Sequence, residues 1–350
     1  MSVRGPDIRG LDVDKLEPWL ASRLPNRAAG PLAATILAGG RSNLTYRLDA
    51  GGAPLVLRRP PLGHVQTTAH DMAREFRIIS ALAPTSVPVP AAILFDDDSA
   101  DDAGVGTPFY LMDFVDGVIL SSAKSNAAFT STQLHGLSVD LIGSLAALHS
   151  VDPASVGLAD FGRPDGYLER QLRRWATQYD GSRTRELPEL DRLQTVLHEA
   201  VPTTTQTSLL HGDYRLDNAI VQVDAAGDPR IGAILDWEMA TIGDSFADLG
   251  LLGLYWNIGA VDGANAVPSS VDPAAGYPTF AELVDEYSSV RAITVPDLSW
   301  YLAFSAYKLA VILEGIHFRF KAGETVGAGF DTIGGLVTPL AGTGLDYLKG

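Results

Sequence analysis

The chain has 350 residues, 46% of them hydrophobic, which is enough to build two packed domains without disulfides. Its net charge of −16 argues against nonspecific nucleic-acid binding and against attraction to anionic membranes; the acidity is read either as plain solubility or as a bias toward a cationic substrate. The absence of cysteine excludes disulfides, thiolate zinc sites and a cysteine nucleophile, and with no apolar secretory core between Met1 and Asp7 a cytoplasmic location is expected.

Ala33 to Leu37 and Leu44 to Leu48 are short apolar or alternating runs, expected as strands on either side of Gly39-Gly40-Arg41-Ser42-Asn43. Glycines let backbone amides approach phosphate oxygens, which makes Gly40, Ser42 and Asn43 candidate nucleotide contacts; without a G-x-G-x-x-G pattern the turn by itself is equally an ordinary hairpin. Leu55-Val56-Leu57-Arg58 reads as a third strand. His70 to Leu82 reads as a helix whose core stripe is Met72, Phe76, Ile79 and Leu82, with Glu75 off that stripe. Phe109 to Gly117 reads as a strand running into a glycine, and a lobe boundary is placed near Asp116.

Val139 to Ser150 reads as an apolar helix burying Leu141, Ile142, Leu145 and Leu148, and His149 is expected to meet the helix dipole in the last turn rather than bind a ligand. Between Arg163 and Arg185 lies a local basic excess built from Arg163, Arg170, Arg173, Arg174, Arg183 and Arg185. Tyr167 to Tyr179 there carries Leu168, Leu172, Trp175 and Tyr179 at helical spacing. Two readings stand, a helical insertion with a solvated basic face or an anion-binding wall.

The most informative stretch is Leu209-Leu210-His211-Gly212-Asp213-Tyr214-Arg215-Leu216-Asp217-Asn218, followed by Ile234-Leu235-Asp236-Trp237-Glu238. A nucleotide triphosphate needs its charge neutralised by Mg²⁺, a hard cation that takes oxygen ligands, and Asn218 with Asp236 can supply them. A separate carboxylate must receive the proton of the attacking hydroxyl; in protein kinases it stands at the H-R-D-x-x-x-x-N spacing from the metal-binding Asn, and Asp213 stands at that spacing from Asn218. Ala219 to Val223 reads as a strand, Asp224 to Pro229 as a turn and Arg230 to Leu235 as the returning strand, which could deliver Asp236 beside Asn218. An H-G-D triplet alone is weak, and its coupling to a spaced Asn and Asp is strong.

At these residues, with Gly243-Asp244 and Asp248-Leu249 beyond them, the sequence resembles the aminoglycoside phosphotransferase family. That resemblance implies Asp213 as the catalytic Asp, Asn218 and Asp236 as Mg²⁺ ligands, Asp248 as a buried acceptor steadying the catalytic loop, and His211 as a residue that orients it. Arg58 stands where kinases carry a Lys bridging phosphates and a helix Glu, with Glu75 as the partner; the alternative for Glu75 is a solvated pair with a neighbouring Arg. The strand at Asp113 and Val115 resembles the hinge where adenine pairs with backbone groups. Gly39 to Tyr46 with Leu57 to Pro61 looks most like the branch related to kinase domains fused to acyl-CoA dehydrogenases, which implies hydroxyacyl-CoAs as acceptors beside aminoglycosides.

Farther on, Gly259 to Gly276 reads as a surface loop, and Leu298 to Phe320, interrupted by Lys308, Glu314, His317 and Arg319, as a buried helix rather than a membrane span. The expectation is an α+β, bilobal protein-kinase-like fold: residues 1–115 as an N-terminal helix and a nucleotide-binding N-lobe with antiparallel sheet and helix, residues 116–350 as a larger, mostly helical C-lobe. The expected activity is ATP-dependent phosphoryl transfer to a small-molecule hydroxyl, with GTP as the other candidate donor, no nucleic-acid or membrane partner, and the oligomeric state left open. A nucleotide-binding pseudokinase, suggested by Arg58, and a metal-dependent hydrolase using His211 and Asp213 remain as alternatives.

Overall fold

The computed structural model describes residues 8–37, 43–62, 71–263, 267, 269–323, 330 and 332–349. The chain divides into two compact units, Met1–Asp116 with Gly232–Glu238, and Gly117–Ile231 with Met239–Gly350. Gly40 and Ser42 lie outside the described residues.

The first unit is built on a five-stranded antiparallel sheet in the order β1 (Ala28–Ile36), β2 (Leu44–Gly51), β3 (Leu55–Arg59), β5 (Phe109–Asp113), β4 (Ala92–Asp96). Alternate side chains along a strand point to opposite faces. The register therefore aligns Tyr46, Leu57 and Leu111 in one row and Thr45, Arg58 and Tyr110 in the next. The first row enters an apolar core with Leu16, Trp19 and Leu20 of α1 (Val13–Arg23). The second row meets α2 (Met72–Leu82), which is capped by the Asp71 carboxylate accepting the Arg74 N–H.

Three expectations change here. Strand β1 begins earlier than Ala33, at Ala28, with irregular register up to Ala33, around Pro31, which has no N–H to give a ladder. Strand β5 stops at Asp113, because β3 starts opposite it at Leu55 and only the Pro54 carbonyl remains to accept the Phe114 N–H. Helix α2 buries Met72, Glu75, Ile78, Ile79 and Leu82, so Glu75 lies on the buried face rather than off it. Phe76 is half-buried, its ring 6.0 Å from Phe95 and 6.2 Å from Tyr110.

In the second unit α3 (Ser131–Ser150) opens with a Thr130–Gln133 capping box, and α4 (Tyr167–Ser182) and α5 (Pro188–Glu199) follow. Strand β6 (Thr207–Leu210) pairs with β9 (Thr241–Asp244), and between them lies the hairpin β7 (Ala219–Val223) and β8 (Pro229–Ile234). The Asp224 carboxylate closes the hairpin turn by accepting the N–H groups of Ala226 and Asp228. Helices α6 (Phe246–Trp256), α7 (Phe280–Arg291), α8 (Ser299–Lys321) and α9 (Val337–Tyr347) complete the unit. Helices α6 and α8 pack closely at Gly250, where a Cβ would stand 2.6 Å from the Tyr301 backbone.

The stretch 259–276 is not all surface. Ser270 is buried, its hydroxyl donating to the Leu120 carbonyl while Asn126 Nδ2 donates to the Ser270 carbonyl, so the buried backbone is paired by short polar side chains. Among the described residues no helix is long and apolar enough to cross a membrane.

Candidate active site

The first unit gathers a charged cluster on the row that faces α2. Arg58 Nε donates to Glu75 Oε2 at 2.8 Å, Nη1 to Thr45 Oγ1 at 3.3 Å, and Nη2 to Asp236 Oδ1. Glu75, only 1% exposed, also accepts from the Tyr110 hydroxyl at 2.9 Å and from Asn43 Nδ2 at 2.9 Å. The solvated alternative for Glu75 is thereby overturned: a buried carboxylate must be paired, and three donors from three strands or their ends converge on it. Burial works against the Arg58 charge, and Glu75, Tyr110 and Asp236 together outweigh it, raising the guanidinium above its ordinary value.

Asn43 is fully buried and spans two carboxylates, its Nδ2 also donating to Glu238 Oε2 at 3.1 Å. Its Oδ1 is buried without a hydrogen-bond partner. Asp236 sits in a left-handed conformation, φ +67°, which Asp tolerates better than most residues because its short side chain hydrogen-bonds locally. The two hinge candidates are placed differently from the cluster: the Asp113 carboxylate accepts from Arg27 Nη1 at 2.7 Å, and Val115 is half-buried just past the end of β5.

In the second unit β6 delivers His211, and β9 runs antiparallel to it into the first turn of α6, where Asp248 lies. That topology brings the Asp248 carboxylate back to the loop, where it accepts the N–H of His211 at 2.7 Å and of Gly212 at 2.9 Å. Asn218 Nδ2 donates to the Asp213 carbonyl at 2.9 Å and to Asp213 Oδ2 at 3.0 Å. His211 is buried and its Nδ1 accepts the Asp213 N–H at 3.2 Å, so this nitrogen serves the loop and is not open to a metal.

His149 stands in the last turn of α3, as expected, and has partners the sequence did not reveal. It is buried, with Nε2 3.3 Å from Asp248 Oδ2 and Nδ1 2.8 Å from the Tyr287 hydroxyl, and burial lowers its pKa against the pull of Asp248. A neutral ring donating from Nε2 to Asp248 and accepting the Tyr287 proton satisfies all three groups. Asp248, in spite of its burial, is held below the usual carboxylate range by His149 and by the loop N–H of His211.

Sequence reasoning missed Lys308 on α8, which was visible only as a charge interrupting an apolar run. Its Nζ donates to the Gly212 carbonyl at 2.8 Å and lies 5.6 Å from the Trp175 ring centroid. The basic segment is also partly spent. Arg170 donates to the carbonyls of Asp165 and Arg163, Arg183 pairs with Asp191, and Arg185 pairs with the buried Glu314 at 2.6 Å.

Each unit, taken by itself, holds an oxygen donor of the kind a hard cation accepts. Asn218 uses its amide nitrogen on Asp213, which leaves Oδ1 as a neutral oxygen donor, and Asp236 gives one oxygen to Arg58 and keeps the other.

An antiparallel sheet with a Glu-bearing helix, an Asp–Asn loop steadied by a buried Asp, and a mostly α-helical second unit belong to an α+β, kinase-like phosphotransferase fold. The chain belongs to the phosphotransferase enzyme family, whose profile matches residues 33–282. It is 34% identical to acyl-CoA dehydrogenase family member 11 of Gallus gallus over 97% of this chain and 44% of that protein. A crystal structure from Ralstonia eutropha, provisionally assigned as an aminoglycoside phosphotransferase, is 33% identical with a TM-score of 0.81, covering 97% of this chain and 98% of that one. A spectinomycin phosphotransferase in complex with ADP and spectinomycin, 12% identical with a TM-score of 0.62 over 98% of this chain and all of its own, shares the fold. The chain spans less than half the length of the curated dehydrogenase relatives it matches.

Proposed function

We propose that this protein is a small-molecule kinase that moves the γ-phosphoryl group of ATP to a hydroxyl of a small acceptor. The observation that carries this reading is the Asp213–Asn218 pair: with Oδ2 held by Asn218 Nδ2, the other oxygen of Asp213 is left to take a hydroxyl proton. The acceptor oxygen bonds to the γ-phosphorus, the bond from that phosphorus to the bridging oxygen breaks, the proton passes to Asp213, and ADP leaves. Asn218 Oδ1 and Asp236 would hold Mg²⁺, which would supply charge neutralisation to the phosphates. Arg58, fixed by Glu75, offers a cation to phosphate oxygens, and the backbone at Asp113 and Val115 is the candidate adenine contact. Asn43 supports the cluster from the end of the Gly39-to-Asn43 turn, to which Gly40 and Ser42 belong as candidate phosphate contacts. A cysteine-free chain fits a cytoplasmic setting.

For the acceptor, the dehydrogenase-family relatives favour a hydroxyacyl-CoA over an aminoglycoside. The test is nucleotide consumption with ATP and with GTP, each against hydroxyacyl-CoAs and aminoglycosides, with and without Mg²⁺. Turnover with a hydroxyacyl-CoA is expected; no turnover on any acceptor sinks the kinase reading. The Arg58–Asp236 contact favours one other reading, nucleotide binding without turnover, because the guanidinium already neutralises that carboxylate. It predicts nucleotide affinity indifferent to Mg²⁺.

A further inference from the structure

We propose that Lys308 is a positioning residue: its ammonium holds the carbonyl of the Gly212–Asp213 peptide and so fixes the direction in which the Asp213 carboxylate is presented. This rests on the kinase reading, with Asp213 as the proton acceptor. A peptide unit is planar, so pinning its two ends fixes its orientation. The carbonyl end is pinned by Lys308 Nζ at 2.8 Å, and the N–H end by His211 Nδ1 at 3.2 Å. The preceding peptide is pinned separately by Asp248 through the Gly212 N–H.

The glycine makes this possible. Gly212 has φ +82°, and a Cβ there would stand 2.6 Å from the Met239 carbonyl oxygen, so only glycine turns its carbonyl toward α8 without strain. Lys308 comes from a helix 96 residues along the chain and is half-buried, with the Trp175 face at 5.6 Å to confine it. The charged groups that act on it are Asp213 in the loop, Asp248 on α6 and Arg174 on α4; burial lowers its pKa, and the two carboxylates oppose that. A cationic donor on the carbonyl strengthens the grip beyond that of a neutral one and polarises the peptide toward a stronger Asp213 N–H.

The experiment compares the full-length wild type with Lys308→Met and Lys308→Arg, using steady-state kinetics on an accepted substrate and hydrogen exchange of residues 211–218. Lys308→Met is expected to lower kcat by about tenfold or more with both KM values within about twofold, and to speed exchange in that segment. Lys308→Arg, which keeps a cationic donor, is expected to recover most of both. If Lys308→Met does not fold, Lys308→Gln takes its place with the same expected split. An unchanged kcat, a raised acceptor KM with kcat retained, or an Arg variant no better than Met overturns the proposal. Absence of turnover by the wild type sinks the kinase reading instead, and the exchange comparison then decides this one: unchanged exchange in Lys308→Met overturns it.

Discussion

The Arg58 cluster of the first unit and the Asp213 loop of the second are both dense in charge, yet they are held in opposite ways. Around Arg58 the contacts run from side chain to side chain, with Glu75, Asp236, Thr45, Tyr110 and Asn43 sharing donors and acceptors. Around Asp213 they run from side chain to backbone: Asp248, Lys308, His211 and Asn218 each bind a main-chain N–H or carbonyl. A cluster of the first kind fixes which charges coexist, so removing one member leaves another buried and unpaired. Clamps of the second kind fix where a chain segment lies, so losing one moves a neighbour's side chain without stranding a charge.

The largest effect is expected at the residue the clamps serve. Asp213→Asn keeps an acceptor for Asn218 and removes the proposed base, and should lower kcat by about 10²- to 10⁴-fold with nucleotide affinity nearly unchanged, as measured by single-turnover kinetics and equilibrium titration. Lost affinity with retained turnover would move Asp213 from the chemistry to the phosphates.

This contrast explains what the sequence made legible. The string from His211 to Asn218 and the hairpin to Asp236 are local, so spacing alone exposes them. Periodicity put Glu75 off the core stripe of α2 because it sorts residues by hydrophobicity; its pairing with Arg58 on β3 came from the resemblance and is what the structure shows, whereas Tyr110 on β5 as a second donor left no local signal. The partners of His149 and Lys308 went unseen for a related reason. They lie 99 and 96 residues away, in Asp248 and Gly212, and no local pattern links a helix-end histidine or a charge in an apolar helix to the backbone of a distant loop.

The second-largest effect tests the charge cluster. Arg58→Met should destabilise the fold by about 3 kcal/mol, read as a lower urea midpoint at constant slope, because Glu75 loses its cation while staying buried. The double variant Arg58→Met with Glu75→Leu should recover most of that loss. A single variant as stable as the wild type would mean that Tyr110 and Asn43 suffice for Glu75, and the distinction between the two clusters would fall.

A smaller, pH-dependent effect belongs to the loop side. The pKa of His149 is lowered from 6.5 in the folded chain, so the unfolded chain binds more protons; the stability contributed is present above pH 6.5 and is lost as pH falls through the folded value. One such group changes stability by at most about 1.4 kcal/mol per pH unit. Chemical unfolding between pH 7 and about pH 5 should therefore show a shallower acid loss in His149→Gln than in the wild type. Matching slopes would remove His149 from the support of Asp248.

The smallest effect concerns the basic insertion, and here the structure narrows what the sequence suggested. Arg170, Arg183 and Arg185 are occupied by carbonyls or carboxylates of the same unit, whereas Arg173 is exposed and Arg174 is exposed with its guanidinium over Trp175. If an anionic CoA thioester is the acceptor, these two, with the equally exposed Arg163, are the arginines of the segment that could meet its phosphates. Exposed charges of this kind are worth little apiece and are screened by salt within about 10 Å at 0.1 M. Replacing Arg173 and Arg174 together with Ala should raise the KM for a hydroxyacyl-CoA by no more than a few-fold and flatten its dependence on ionic strength, with kcat unchanged. A salt dependence identical to that of the wild type would make the insertion a solvated face, and would leave the Arg58 cluster and the Asp213 loop as the candidates for charge-based function.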